Sequence, residues 1–310
     1  MKKEKKSTRN KTIDLSVEEG KAYLERCISI GSKAGIDEIT DKTILGDTFS
    51  VMPLLPEGFA DLIIVDPPYN LTKDFHGSRF RETTETEYLA YTRRWMEMAG
   101  RLLKDSGTMY VCCDWRSGIV IGQALAERFI IRSRITWQRE KGRGASHNWK
   151  NSMEDIWFVT KSDDYTFNTD AVKIRRRVIA PYRVNGKPKD WEETREGNFR
   201  NTCPSNFWDD ISVPFWSMPE NTAHPTQKPE KLLAKLILAS SREGDIVFDP
   251  FLGSGSTSVT ARKLGRHFVG IEQNEQYCVW AEKRLADAKK NKTIQGYEDG
   301  VFWERNAKNK

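Results

Sequence analysis

The chain has 310 residues and a formal net charge of +6, from 50 Lys and Arg against 44 Asp and Glu. That length allows one large α/β domain with a smaller insert, or two modest domains, and its charge suits a polyanionic partner, although ordinary soluble proteins share it. Five cysteines without a C-x-x-C pair exclude a zinc module or disulfide scaffold and suit a reduced, cytoplasmic protein; no apolar run approaches the ~18 residues of a spanning helix, so neither a membrane span nor a secretory signal is expected.

Along the chain, Met1 to Thr40 reads as a basic, helical extension in which Ser16-Val17-Glu18-Glu19 is a capping box opening a helix to about Ile30. Strands are predicted at Lys42 to Leu45, Ala60 to Val65, Thr108 to Cys113, Ser133 to Gln138, Asp155 to Thr160, Asp245 to Asp249 and His267 to Ile271. Between them, Glu85 to Leu103 repeats Tyr88, Trp95, Met96 and Ala99 at helical spacing, and Glu230 to Ser240 repeats Leu232, Leu233, Leu236 and Ile237. Short apolar strands alternating with longer helices predict a doubly wound α/β sheet built from crossover units. Two stretches break the rhythm. Leu71 to Thr84 reads as a polar loop, and Lys161 to Ala223, rich in Pro, Asn, Trp and Arg without a period, as an irregular insert. After Lys289 the apolar content drops, and a partly mobile tail is expected.

Asp66-Pro67-Pro68-Tyr69 stands directly after the strand ending at Val65. Its prolines remove two backbone donors and hold the chain extended, which leaves carbonyls free for a ligand. An exocyclic amine would meet two acceptors, the Asp66 carboxylate and the Pro67 carbonyl, while Tyr69 offers a flat face to an unstacked base. The plain alternative is a Pro-Pro turn with a surface Tyr. Asp249-Pro250-Phe251-Leu252-Gly253-Ser254-Gly255-Ser256-Thr257 also follows a strand. Gly253 and Gly255 permit a tight turn and close approach to a nucleoside, and Ser256 or Thr257 can start the next helix. No Lys follows the glycines, so this is not a Walker phosphate loop. Roughly twenty residues later a strand ends in Glu272, where nucleoside-binding folds place an acid for ribose hydroxyls. Asp47 can bond an adenine ring or cap a helix over Phe49 to Leu55. His224-Pro225-Thr226-Gln227-Lys228-Pro229 can serve a ligand or act as a rigid turn with Pro229 as first helical residue.

In combination and order, from about Thr43 to Leu285, these stretches resemble the beta class of amino-methyltransferases acting on DNA, in which Asp-Pro-Pro-Tyr precedes the recognition region and Phe-x-Gly-x-Gly comes late. The resemblance implies S-adenosylmethionine as methyl donor and the 6-amino group of adenine, in a specific duplex DNA sequence, as acceptor. Asp at position 66 favours adenine, with the 4-amino group of cytosine as runner-up. It implies a Rossmann-like, circularly permuted, mostly parallel seven-stranded sheet with a reversed last strand. Catalytic roles fall to Asp66, Pro67, Pro68 and Tyr69. Cofactor binding falls to Asp47, Asp66, His224, Thr226, Lys228, Asp249, Phe251, Gly253, Ser254, Gly255 and Glu272, the stretch from His224 lining the methionine end. The chain would divide into an extension (1–40), a catalytic half (41–162), a target-recognition insert (163–223), a cofactor half (224–289) and a tail (290–310). Double-stranded DNA is the implied partner, and a homodimer and a cognate restriction endonuclease are compatible with the resemblance. If the strands ending at Val65 and Asp249 are neighbours, Tyr69 and Phe251 face one crevice.

Lys173 to Lys189 holds seven Lys and Arg and no acid, which suits a phosphate backbone. DNA contacts are expected there, from Arg175, Arg176, Arg177 and Arg183, in the loop carrying Arg139, Lys141, Arg143 and Lys150, and in Leu71 to Thr84. A solvated face is the ordinary alternative for such runs. Trp191, Trp208 and Trp216 either wedge at a flipped base or form the insert's small core. Cys112 and Cys113 read as packing, and His147 and His267 lack metal-ligand spacing, so no metal is expected. Two other readings stay open: methylation of protein or RNA by a related fold, and a catalytically silent nucleic-acid-binding module.

Overall fold

The structure is a computed structural model that describes residues 7–75, 78–139, 146–179 and 182–304. Its main sheet contains β1 (Lys42–Leu45), β2 (Ala60–Val65), β3 (Leu103–Cys113), β4 (Ile130–Gln138), β5 (Met153–Thr160), β6 (Phe207–Trp208), β7 (Ile246–Asp249) and β8 (His267–Glu272). They lie in the order β1-β8-β7-β2-β3-β5-β4-β6. The seven expected strands are all present, and the insert supplies an eighth, β6, which pairs parallel with β4 through Phe207 and Trp208. Within this sheet only β5 is reversed. It lies antiparallel between β3 and β4, in the sheet's interior, rather than last. An antiparallel neighbour needs no helical crossover, so β4 can pass to β5 through a loop.

Alternation along β2 shows how the sequence builds two faces. Ile63 and Val65 join a core with Trp95, Met96 and Ala99 of α1 (Glu85–Leu102) and Ile121 and Leu125 of α2 (Trp115–Ala126). Leu62 and Ile64 point the other way, to Leu232, Leu233, Leu236 and Ile237 of α3 (Glu230–Ser240) and Val259 of α4 (Ser256–Lys263). Each such fully buried side chain contributes about 1.5–3 kcal/mol of transfer free energy. Local caps set the helix starts. Thr84 and Glu87 bond each other's backbone N–H at 3.3 and 2.9 Å at the head of α1, and Asp114 accepts from Ser117 N at 3.1 Å at the head of α2.

Three expectations need correction. Ser16 and Glu19 do make the reciprocal capping bonds, at 3.2 and 2.9 Å, yet the helix that follows covers only Lys21–Leu24. Ile28 instead exchanges backbone bonds with Thr43 and Leu45, because the open edge of β1 offers a ladder that a continued helix would forgo. The stretch from Leu71 to Thr84 contains a hairpin, Lys73–Phe75 against Ser78–Phe80, whose base is tied by Asn70 to Thr83. Finally, residues 290–304 are not a loose tail. Val301–Trp303 lies parallel to Ile174–Arg177 of the insert in a second, five-stranded sheet, and Phe302 is fully buried against Ala234 and Leu238 of α3. So short an apolar triplet has no period to read; its place depends on a partner strand far away in the chain. Among the described residues no helix is long and apolar enough to cross a membrane.

Candidate active site

β7 and β2 are neighbours, with Val247 opposite Leu62 and Phe248 opposite Ile63. Their carboxyl ends deliver Asp249 and Asp66 to the point where the strand order reverses, the place where open α/β sheets hold ligands. A cleft of about 460 Å³ opens there, and both Tyr69 and Phe251 line it. So do all the residues expected for base and cofactor except Gly255. Gly255, at φ +82°, sits behind the wall: a Cβ there would lie 2.6 Å from Ala281 of α5 (Glu275–Ala288). Its smallness allows α5 to pack close behind the turn.

One end of the cleft is a chain of opposite charges. Asp66 Oδ1 accepts from Tyr69 Oη at 2.8 Å, and Asp66 Oδ2 accepts from Lys228 Nζ at 2.5 Å, although the sequence separates Lys228 and Asp66 by 162 positions. Lys228 Nζ also lies 3.2 Å from Tyr69 Oη and 3.3 Å from Glu154 Oε2, and the other Glu154 oxygen is paired with Arg139. Burial opposes the Lys228 ammonium, but Asp66 and Glu154 outweigh it and hold the group above its ordinary value. Burial, followed by the charges of Asp66 and Glu154, keeps the Tyr69 hydroxyl protonated well above its ordinary range. Tyr88 donates to the Pro68 carbonyl at 3.0 Å, whereas among the described residues no donor reaches the carbonyl of Pro67.

The other end is built from the two strand-end acids and the glycine turn. Gly253 adopts φ +56° and donates its N–H to Glu272 Oε2 at 2.8 Å, while Asn274 N donates to Oε1 at 2.8 Å. Burial pushes Glu272 up to about 7 against those hydrogen bonds, and burial likewise pushes Asp249 up to about 7 against bonds from Thr257 and Phe251. His224 accepts from Thr226 N at 3.3 Å and packs edge-on against Tyr277 at 4.4 Å, so its ring stands over the turn; a Cβ on Gly253 would lie 3.1 Å from His224 Nε2. Asp47 caps the turn Thr48–Val51, accepting from Ser50 N at 3.0 Å, and also faces the cleft.

Two of the expected residues meet acids in the cleft wall: Lys228 pairs with Asp66, and Arg139 pairs with Glu154. Glu154 itself was not anticipated. The signal available was an acid inside an apolar strand, a residue rarely buried unless paired. Of the other basic residues, Lys141 and Arg143 lie outside the described residues. Lys150 is exposed. Arg175 is held by Glu192 and Asn201 against Phe199 and Trp303, Arg176 pairs with Glu304 and Arg183 with Glu193, and Arg177 is exposed beside Phe199. Trp191 and Trp208 are buried; Trp216 is half exposed.

The family model described as DNA methylase matches residues 60–283. The chain is 35% identical over 247 residues to the type II methyltransferase M.HpaI of Haemophilus parainfluenzae, covering 79% of this chain and 74% of that protein. It is 35% identical over 252 residues to the DNA adenine methyltransferase YhdJ of Escherichia coli K12, covering 79% and 82%. Among solved structures, the M1.HpyAVI–SAM complex resembles it with a TM-score of 0.52 and 26% identity, covering 78% of this chain and 98% of that one. With a switch-point cleft walled by an Asp-Pro-Pro-Tyr turn and a glycine turn, and a family match across most of its length, the chain belongs to the DNA methylase family.

Proposed function

We propose that this protein transfers the methyl group of S-adenosylmethionine to the 6-amino group of an adenine flipped out of a specific duplex DNA sequence. The observation that carries this reading is the shared cleft: the turn Asp66 to Tyr69 and the turn Phe251 to Gly253 are adjacent walls. Methyl donor and acceptor can therefore meet.

The cofactor half of the cleft fits a nucleoside. Gly253 leaves free the space that a Cβ would fill beside His224, and the Glu272 carboxylate is fixed by two backbone N–H groups with lone pairs to spare for ribose hydroxyls. In this reading Asp47 bonds the adenine ring, Phe251 packs against the cofactor, and His224 and Thr226 hold its methionine end; all four line the cleft. When bound, the cofactor supplies a methyl group made electrophilic by its sulfonium. Asp66 and the unbonded Pro67 carbonyl accept the two N–H groups of the target amine, and so aim its lone pair as the nitrogen becomes tetrahedral. Tyr69 is anchored by its hydroxyl, and its ring can stack on the base, a contact worth about 1–3 kcal/mol against the cost of flipping. The exposed Lys150, ahead of the insert, and Arg177, within it, contact phosphates or base edges.

Expression in a host free of DNA methylation, followed by mapping of modified bases, tests this directly. The expected product is N6-methyladenine at one short sequence. N4-methylcytosine would transfer the reading to cytosine, and an unmodified genome would overturn it.

A further inference from the structure

Both oxygens of the Asp66 carboxylate already receive a donor, Oδ1 from Tyr69 and Oδ2 from Lys228. Each oxygen keeps a second lone pair, but one that carries a 2.5 Å bond from an ammonium is a weaker acceptor, so Lys228 competes with a target amine for this carboxylate. The same ammonium lies 3.3 Å from Glu154 Oε2, so a small displacement carries it from one carboxylate to the other. The Lys228 and Glu154 side chains are only 7% and 5% exposed, which leaves little water to receive a released ammonium. An unpaired cation there would be strongly unfavourable. Arg139 fixes the far oxygen of Glu154, keeping the near one turned to Lys228.

From this geometry we propose that Glu154 is a positioning residue that takes Lys228 from Asp66 when the target base arrives, and that Lys228 closes the amine subsite when no base is bound. The handover rests on the methyl-transfer reading above and deepens it. Lys228 stays cationic throughout, because the surrounding acids outweigh its burial. No bond is made or broken; one ion pair is exchanged for another, and the freed Asp66 oxygen accepts the amine.

The test uses the full chain and DNA bearing the sequence found by base mapping. Glu154→Gln removes the receiving charge and locks Lys228 on Asp66. At saturating DNA, single-turnover methyl transfer should fall about tenfold or more while cofactor affinity stays within about twofold. The double variant Glu154→Gln/Lys228→Met loses one negative and one positive charge, restoring the net charge of the site, and has no ammonium to displace. It should be at least about fivefold faster than Glu154→Gln alone at an unchanged melting temperature, which places the coupling in the transfer step and not in the stability of a buried pair. Losses that add, or a Glu154→Gln rate equal to wild type, would overturn the handover. Should Glu154→Gln fail to fold, Lys228→Met alone decides, read by the fluorescence of 2-aminopurine placed at the target base. Greater base extrusion than in wild type supports the proposal, and equal or smaller extrusion refutes it. Failure of the methyl-transfer reading is separate, since it shows as absent adenine methylation by the wild-type protein.

Discussion

A Cβ on Gly255 would fall 2.6 Å from the Cβ of Ala281, whereas one on Gly253 would meet only the imidazole edge of His224 at 3.1 Å. The two glycines of one turn therefore answer to different demands, one to the helix behind and one to the cleft in front. Gly255→Ala should destabilise the fold by about 1–3 kcal/mol through overpacking, visible in chemical denaturation. Gly253→Ala should act more on the cofactor, raising its dissociation constant about tenfold, which corresponds to 1.4 kcal/mol. Equal effects of both changes on cofactor affinity would contradict this division.

Asp66→Ala removes the amine acceptor but leaves Lys228 the partner Glu154, so the cleft keeps a paired charge. Methyl transfer should drop at least ~10²–10³-fold with cofactor binding largely retained, as measured by tritium transfer and calorimetry. A variant that methylates normally would place the chemistry elsewhere.

Asp249 and Glu272 are pushed up to about 7 from ordinary values of 3.8 and 4.5. In that window the folded chain holds protons that the unfolded chain has released, so these groups' contribution to stability falls as pH rises from about 4 to about 7. S-adenosylmethionine carries a net positive charge, which favours the ionised carboxylates and lowers their pKa. Cofactor affinity should thus strengthen as pH rises through about 7, with protons released on binding below it and fewer above. Titration calorimetry in buffers of different ionisation enthalpy reads both quantities, and a pH-independent affinity would remove these acids from the cofactor site.

Arg175 and Arg177 adjoin in a basic run yet occupy different settings, one gripped by Glu192 between two aromatic rings and the other exposed. Arg177→Ala should lower the slope of log affinity for DNA against log salt by roughly 0.9 with little change in melting. Arg175→Ala should chiefly lower melting. An unchanged salt slope for Arg177→Ala would take it out of the interface.

Phe302, fully buried against α3, tests whether the last described strand is structural. Phe302→Ala should cost about 3–5 kcal/mol in denaturant unfolding. A loss below about 1 kcal/mol would mean that the end of the chain contributes little, as expected of an exposed site.

By itself the sequence determined seven of the main sheet's eight strands, the helices α1 and α3, and the two strand-end turns, because each depends on a local pattern: alternation, helical spacing, or a Pro-Pro or Gly-x-Gly turn after an apolar run. It also contained the order of motifs that places the family. Only the tertiary structure decided what those motifs touch. Lys228 pairs with Asp66, Gly255 packs against Ala281, and Glu154 and Arg139 complete the cleft. The capping box at Ser16 did not grow into a long helix, and the triplet Val301–Trp303 joined the insert's sheet. In each of these cases the deciding partner is distant in the chain. A buried charge or an open strand edge is satisfied by whichever group folding brings near, and local propensities of a few tenths of a kcal/mol do not override a desolvated ion pair or a completed ladder.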